Sequence, residues 1–171
     1  MLIYYLAGNS QSPSLANFAD ARNQIQHALL SLPQGDQLDA TIVPGFTTIS
    51  TTEYELMRIS LLLYSFIVIF PIPFRFGPFV RLRVLLRGVL TKPDTYRRLP
   101  KAVILWSLTI GRIIPAHEDK DWFEKKLIEA MSWTKVSSVE ELKVILKSIM
   151  WQDDVLDPFL GKTWPISGAA E

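Results

Sequence analysis

The sequence predicts an all-α fold of about six helices, and three observations carry that reading. Capping-box signatures stand at Ser50–Glu53 and at Ser137–Glu140 or, in the overlapping register, Ser138–Glu141. Apolar residues recur three and four apart through most of the chain, the spacing of one helix face. Alternating apolar and polar runs, the mark of half-buried strands, are almost absent.

Taken in order, residues 1–13 read as an irregular N-terminus, and residues 14–166 as a single helical domain with a frayed tail at 167–171. Ser14 is placed to cap a helix from Leu15 to Leu32. Its apolar face is Leu15, Phe18, Ile25, Leu29 and Leu32, interrupted by Arg22, and Pro33 and Gly35 end it. Residues 33–52 form a linker with one short extended candidate, Thr41–Val43, before Pro44. Ser50 and Glu53 then start a long apolar helix whose unbroken part is Ile59–Phe70. Pro71 and Pro73 stop it. Pro78 suits the first turn of a helix over about Phe79–Leu90. Lys92–Leu99 reads as a polar loop.

The most apolar segment follows. Pro100 occupies a first helical position, and Ala102–Ile110 is apolar almost all round, which means burial. Gly111 is expected to end this helix, and Pro115 cannot continue it. Arg112 after the glycine suits the negative end of the helix dipole. Asp119 and Asp121 open the next helix, with Phe123, Leu127, Ile128 and Met131 on its apolar face. The third C-terminal helix carries Val139, Leu142, Ile145, Leu146 and Ile149 on one stripe, with Lys143 and Lys147 on the wet side. Pro158, Gly161 and Pro165 predict a mostly irregular tail. Trp106, Trp122, Trp133, Trp151 and Trp164 all fall in this half, so the hydrophobic centre is expected there, with Trp106 buried.

Composition narrows the function classes. The chain has 171 residues, 49% hydrophobic and 20% charged, enough apolar material for a sizeable core. It contains no cysteine, which excludes disulfides, thiolate metal sites and cysteine nucleophiles. The net charge of +1 gives no global pull toward nucleic acid or an anionic membrane. Met1–Ala7 is apolar but short and lacks a basic flank, so it makes a poor signal peptide. Ile59–Phe74 is uncharged between Arg58 and Arg75 over 16 residues, fewer than the roughly 20 a spanning helix needs, so a core helix is favoured over a membrane segment.

The order of pieces in the C-terminal half also resembles a family. A tryptophan helix running from Trp106 to Gly111 precedes Trp122-Phe123 and Leu127. A Ser-Val-Glu-Glu-Leu helix then ends at Met150-Trp151. With Glu55–Pro73 upstream and Gly161-x-x-Trp164 downstream, this is similar to the C-terminal part of the fungal-specific transcription factor domain, over about residues 50–165. In that family the all-helical domain is regulatory and usually lies downstream of a six-cysteine binuclear zinc cluster. The resemblance therefore implies a regulatory module in truncated or stand-alone form, a nuclear location with the cytoplasm as alternative, and a link to control of secondary metabolism. Arg112 departs from the small residue that the family more often has there. Helices whose family partners are missing are expected to expose apolar faces.

Sites of chemistry are few. His27 and His117 lie in different segments without further metal-ligand spacing, and both read as ordinary surface histidines. Asp153, Asp154 and Asp157 lack the glycine and closing glutamate of a calcium loop and read as a solvated acidic loop. No nucleophile-elbow, phosphate-loop or dinucleotide motif occurs, although a serine with His27 and Asp20 can be drawn on paper. The expectation is no catalytic, cofactor-binding or metal residue and no cofactor. One charge run stands out: Arg75, Arg81, Arg83, Arg87, Lys92, Arg97, Arg98 and Lys101 against Asp94 alone. Weak phosphate contacts are assigned to Arg81, Arg83, Arg87, Arg97 and Arg98. The bland reading is a solvated face, Arg83 and Arg87 lying four apart, balanced by acidic flanks.

Together these lead to a non-enzymatic regulator-like helical module without its own DNA reader. It is expected to act through a protein partner or as a homo-oligomer, with no specific DNA binding by this chain alone. The all-round apolar helices Ile59–Phe70 and Ala102–Ile110 are expected to need a partner's cover. The alternatives are a membrane-associated protein held by Ile59–Phe74 and a small-molecule-binding helical domain.

Overall fold

The computed structural model describes residues 15–35, 50–74, 77–93, 95–115 and 120–160. Among these residues the fold is all-α, as the sequence predicts, and no strand occurs. The helices are α1 (Leu15–Leu30), α2 (Thr51–Tyr64), α3 (Gly77–Leu90), α4 (Thr95–Arg98), α5 (Lys101–Ile113), α6 (Lys120–Thr134), α7 (Val139–Ile149) and α8 (Asp153–Leu160). The expected extended segment Thr41–Val43, Trp164, and the boundaries near residues 14 and 166 lie outside the described residues. The chain divides into two compact units, Met1–Leu32 and Pro33–Glu171. In the first, α1 buries none of its described side chains, and Phe18 and Leu30 are largely exposed.

The second unit is built on α5. Every residue from Val103 to Ile113 is buried, and α2, α3, α6 and α7 all pack on this helix. Trp106 is fully enclosed, and its indole N–H donates to the Met150 carbonyl at 2.7 Å, which ties α5 to the end of α7. Tyr64 of α2 lies against the same indole, with ring centroids 5.9 Å apart. Where α2 meets α5, Ser60 donates to Ser107 at 2.9 Å, both wholly buried. Two small side chains let the helices approach there, and the mutual bond avoids the cost of an unmet hydroxyl. Ala102–Ile110 is enclosed by this chain's own helices from Val103 on, and the expected need for a partner's cover is not met there. Ile59–Phe70 is covered in part, with Leu61, Phe66, Val68, Ile69 and Phe70 half-buried.

Boundaries follow local chemistry. Ser50 and Glu53 form the expected capping box: Ser50 N–H donates to the Glu53 carboxylate at 2.7 Å, and Glu53 N–H to Ser50 Oγ at 3.3 Å. Tyr54 donates to the Pro33 carbonyl at 2.8 Å, and Gly35 N–H donates to Glu55, so the start of the linker is hooked onto α2. Beyond Tyr64 the helix widens into a π-turn, Ser65–Ile69, closed by Phe70 N–H to the Ser65 carbonyl at 2.7 Å. The segment after this turn brings Phe74 to Phe79 at 5.0 Å and to Phe159 of α8 at 5.5 Å.

Several expected ends move. Pro100 is the N-cap of α5 rather than its first residue, with ψ 138°. Gly111 does not end α5, which runs two residues further and stops before Pro115. The glycine instead makes room, because a Cβ there would collide with the Phe123 ring of α6. The supposed loop Lys92–Leu99 contains α4, fixed to α3 by Thr95 Oγ1 donating to the Val89 carbonyl at 2.8 Å. On α6, Phe123, Leu127, Ala130 and Met131 are buried, while Ile128 faces out. That helix closes with Val136 N–H on the Met131 carbonyl at 2.9 Å and Lys135 at φ 62°. This is a Schellman turn with a lysine where glycine is usual, at a cost of about 1–2 kcal/mol. At α7, Ser138 Oγ accepts from Glu141 N–H at 3.1 Å, and the Glu141 carboxylate accepts from the Ser137 N–H at 2.7 Å and hydroxyl at 3.0 Å. The tail expected to be irregular is helical over its described part, Asp153–Leu160. Asp153 and Asp154 start α8 favourably, and Pro158 sits in its final turn.

The core draws equally on α2 and α3 and is not confined to the C-terminal half. Leu56, Ile59, Leu63, Phe79 and Leu86 are as deeply buried as any residue of α5. Trp106→Ala should cost about 3–5 kcal/mol of unfolding free energy, read from a urea transition. The two glycines inside helices should respond with opposite signs. Gly88 has nothing within reach of an added Cβ, so Gly88→Ala should stabilise by about 0.5–1 kcal/mol. Gly111→Ala, driven into Phe123, should destabilise by about 1–3 kcal/mol.

Candidate functional site

The basic run resolves into residues with different surroundings, and Arg83 is the principal correction. It is buried in α3 at 1% exposure, and its guanidinium lies 4.9 Å from the centroid of the Phe123 ring. The helix turns Phe79, Leu86 and Leu90 inward, and Arg83 shares their face. It therefore belongs neither to a solvated face nor to a set of phosphate contacts. Burial first, and Arg87 second, push its pKa down from the usual arginine value. Arg87, half-buried, lies 5.3 Å from the Trp122 centroid. Arg81, Arg97 and Arg98 are exposed. Arg75 lies outside the described residues.

Arg112 is also enclosed, at 8% exposure in the last turn of α5, and faces Glu124 at 4.0 Å. Burial lowers its pKa, and Glu124 partly offsets that. His27 is exposed on α1, with Ser31 Oγ 3.4 Å from Nδ1. His117 lies outside the described residues.

The acidic trio lies on α8, with Asp153 and Asp154 in its first turn, and not in a solvated loop. Asp157 accepts from Lys143 and, at 2.9 Å, from the Trp151 indole N–H, while Asp153 pairs with Lys147 at 2.6 Å. The two carboxylates stand one turn apart on α8 and pin it to α7. Lys143 is accordingly half-buried rather than on the wet side. Among the described residues no group of three His, Asp or Glu side chains is placed to hold a metal ion.

Two surface features remain. The first is the outer face of α3. Val80, Val84 and Leu85 are 54%, 56% and 43% exposed, with exposed Arg81 and Gly88 beside them. Residues 77, 80, 81, 84, 85 and 88 share one side of a helix. Val80, Val84 and Leu85 form an exposed branched aliphatic row along the helix. The helix carries three arginines and no acid.

The second is a groove of about 390 Å³ lined by Tyr96, Lys126, Glu129, Ala130 and Trp133. It lies where α4 meets the last turns of α6. Tyr96 and Trp133 meet edge to face, with centroids 6.5 Å apart. Lys101 Nζ lies 5.6 Å from the Trp133 centroid, and Lys126 pairs with Glu129 at 2.6 Å. Burial first, and Glu129 second, raise the Tyr96 pKa. Neither feature was singled out from the sequence. The α3 row was hidden because Val80, Val84 and Leu85 look like core residues beside Phe79 and Leu86. The groove needs Tyr96 and Trp133, which are far apart in the chain.

Among the described residues no helix is long and apolar enough to cross a membrane. Comparison of the chain with protein-family models, with curated proteins and with solved structures returned no match.

The Asp157 clamp has a definite pH signature. Burial raises its pKa, but the hydrogen bonds from Lys143 and Trp151 and the charges of Lys143 and Lys147 outweigh that, and the net shift is downward. A depressed folded value gives stability that is present above the unfolded carboxylate pKa of about 3.9 and lost as pH falls through the folded value. Asp157→Asn should therefore lower stability at neutral pH and flatten the decline below about pH 4. Thermal melts of both proteins between pH 7 and pH 2 check this. Parallel curves would show that the clamp contributes nothing.

Proposed function

We propose that the chain is a non-catalytic helical module of the regulatory kind, acting by protein–protein contact and without a DNA reader of its own. The observation that carries this is the outer face of α3: three exposed branched aliphatic residues in a row around Arg81, on a helix with no acid. Apolar surface of this extent favours a partner, and its chemistry selects one. The fitting occupant is an amphipathic helix with aliphatic residues on one side and glutamate or aspartate at its edges. Exposed Arg81 on the face, together with exposed Arg97 and Arg98 on neighbouring α4, supplies the complementary charge. A second copy is a poorer occupant, since it would set one arginine-only helix against another. The nuclear location and transcriptional role implied by the family resemblance belong to this proposal.

An acidic amphipathic helical peptide with aliphatic residues at heptad spacing, carrying a fluorophore, is the direct probe. Anisotropy should show saturable binding that weakens with salt. Val84→Asp and Arg81→Glu, both surface changes expected to alter stability by no more than about 0.5 kcal/mol, should each abolish it. In parallel, duplexes of unrelated sequence should bind equally weakly or not at all. Absence of peptide binding, self-association that Val84→Asp dissolves, or clear preference for one DNA sequence would each overturn the proposal.

A further inference from the structure

We propose that the groove between α4 and α6 is a binding site for a small planar aromatic carboxylate, separate from the α3 face. Its volume of about 390 Å³ falls in the range of small-ligand sites. Its walls are two aromatic rings almost at right angles, Tyr96 and Trp133, with an interplanar angle of 79°. Such a corner offers a ring face and a ring edge to a flat guest. Trp133 is 41% exposed although its helix neighbours Ala130 and Met131 are buried. A large aromatic left open in this way has apolar surface still to cover.

The polar groups select an anion. The Tyr96 hydroxyl has no accessible surface, so this residue contributes its ring alone to the groove. Lys126 lines the groove, and Lys101 lies over the Trp133 ring. The one carboxylate in the lining, Glu129, is already neutralised by Lys126. A cationic guest, which two aromatic rings and a carboxylate would otherwise invite, meets Lys101 already placed over the Trp133 ring. A carboxylate meets Lys101 and Lys126, whose charges together exceed that of Glu129.

The test uses the full chain labelled with ¹⁵N and follows the indole N–H resonances during titration with 2-naphthoate. The Trp133 resonance should shift saturably with an affinity of about 1 mM or tighter. The Trp106 resonance, its N–H held by Met150, should stay still and report an intact fold in every variant. Lys126→Met and Lys101→Met should each weaken binding about fivefold or more, and 2-naphthamide, which lacks the charge, should bind less well than the acid. The proposal is overturned if Trp133 does not respond at the solubility limit of the probe. It is equally overturned if acid and amide bind alike and neither variant matters, which would leave a merely sticky aromatic surface. A short oligothymidylate that moves Trp133 where naphthoate does not would make the groove a base-stacking surface instead.

Discussion

The enclosure of α5 is the constraint on which the rest of the second unit depends. A helix apolar on every side cannot face water along any stripe, so the remaining helices must surround it. Trp106 fixes the arrangement, because its indole is large and its N–H needs an acceptor once buried. The Met150 carbonyl supplies that acceptor and thereby places the end of α7. Gly111 sets the approach of α6, since only a missing Cβ leaves room for Phe123. Ser60 and Ser107 do the same for α2.

The same constraint explains why a cation lies inside. Arg83 shares the inward face of α3 with Phe79 and Leu86 and extends to the face of Phe123, where the ring's negative potential compensates part of the lost hydration. Arg87 and Trp122 repeat the pairing nearer the surface. The basic run thus divides: Arg83 and Arg87 tie α3 to α6, and Arg81, Arg97 and Arg98 are exposed. With its inward side so fully used, α3 presents its other aliphatic residues, Val80, Val84 and Leu85, to solvent.

Much of this was legible in the sequence. The helical class, the Ser50–Glu53 start, the burial of Trp106 and the stop before Pro115 follow from local rules that short segments obey by themselves. What was not legible depends on neighbours distant in the chain. Gly111 looks like a helix end because its usual role is conformational, whereas here the role is space for a ring twelve residues on. Arg83 and Arg87 have the spacing of a wet face, and only the position of Phe123 and Trp122 turns them inward. Asp153 and Asp157 look like a solvated loop until Lys143 and Lys147 of α7 are brought opposite them. The Tyr96–Trp133 groove likewise exists only once α4 and α6 meet.

The central claim is that α5 is covered by this chain's own helices and not by a partner. Native-state hydrogen exchange on the isolated chain tests it most directly, because a helix enclosed on all sides opens only with global unfolding. The backbone amides from Ile104 to Ile113 should be the most protected in the protein, with exchange free energies equal to that of global unfolding measured by urea. Amides of α5 that exchange as fast as those of α1 would contradict the account and show that the helix lacks its cover.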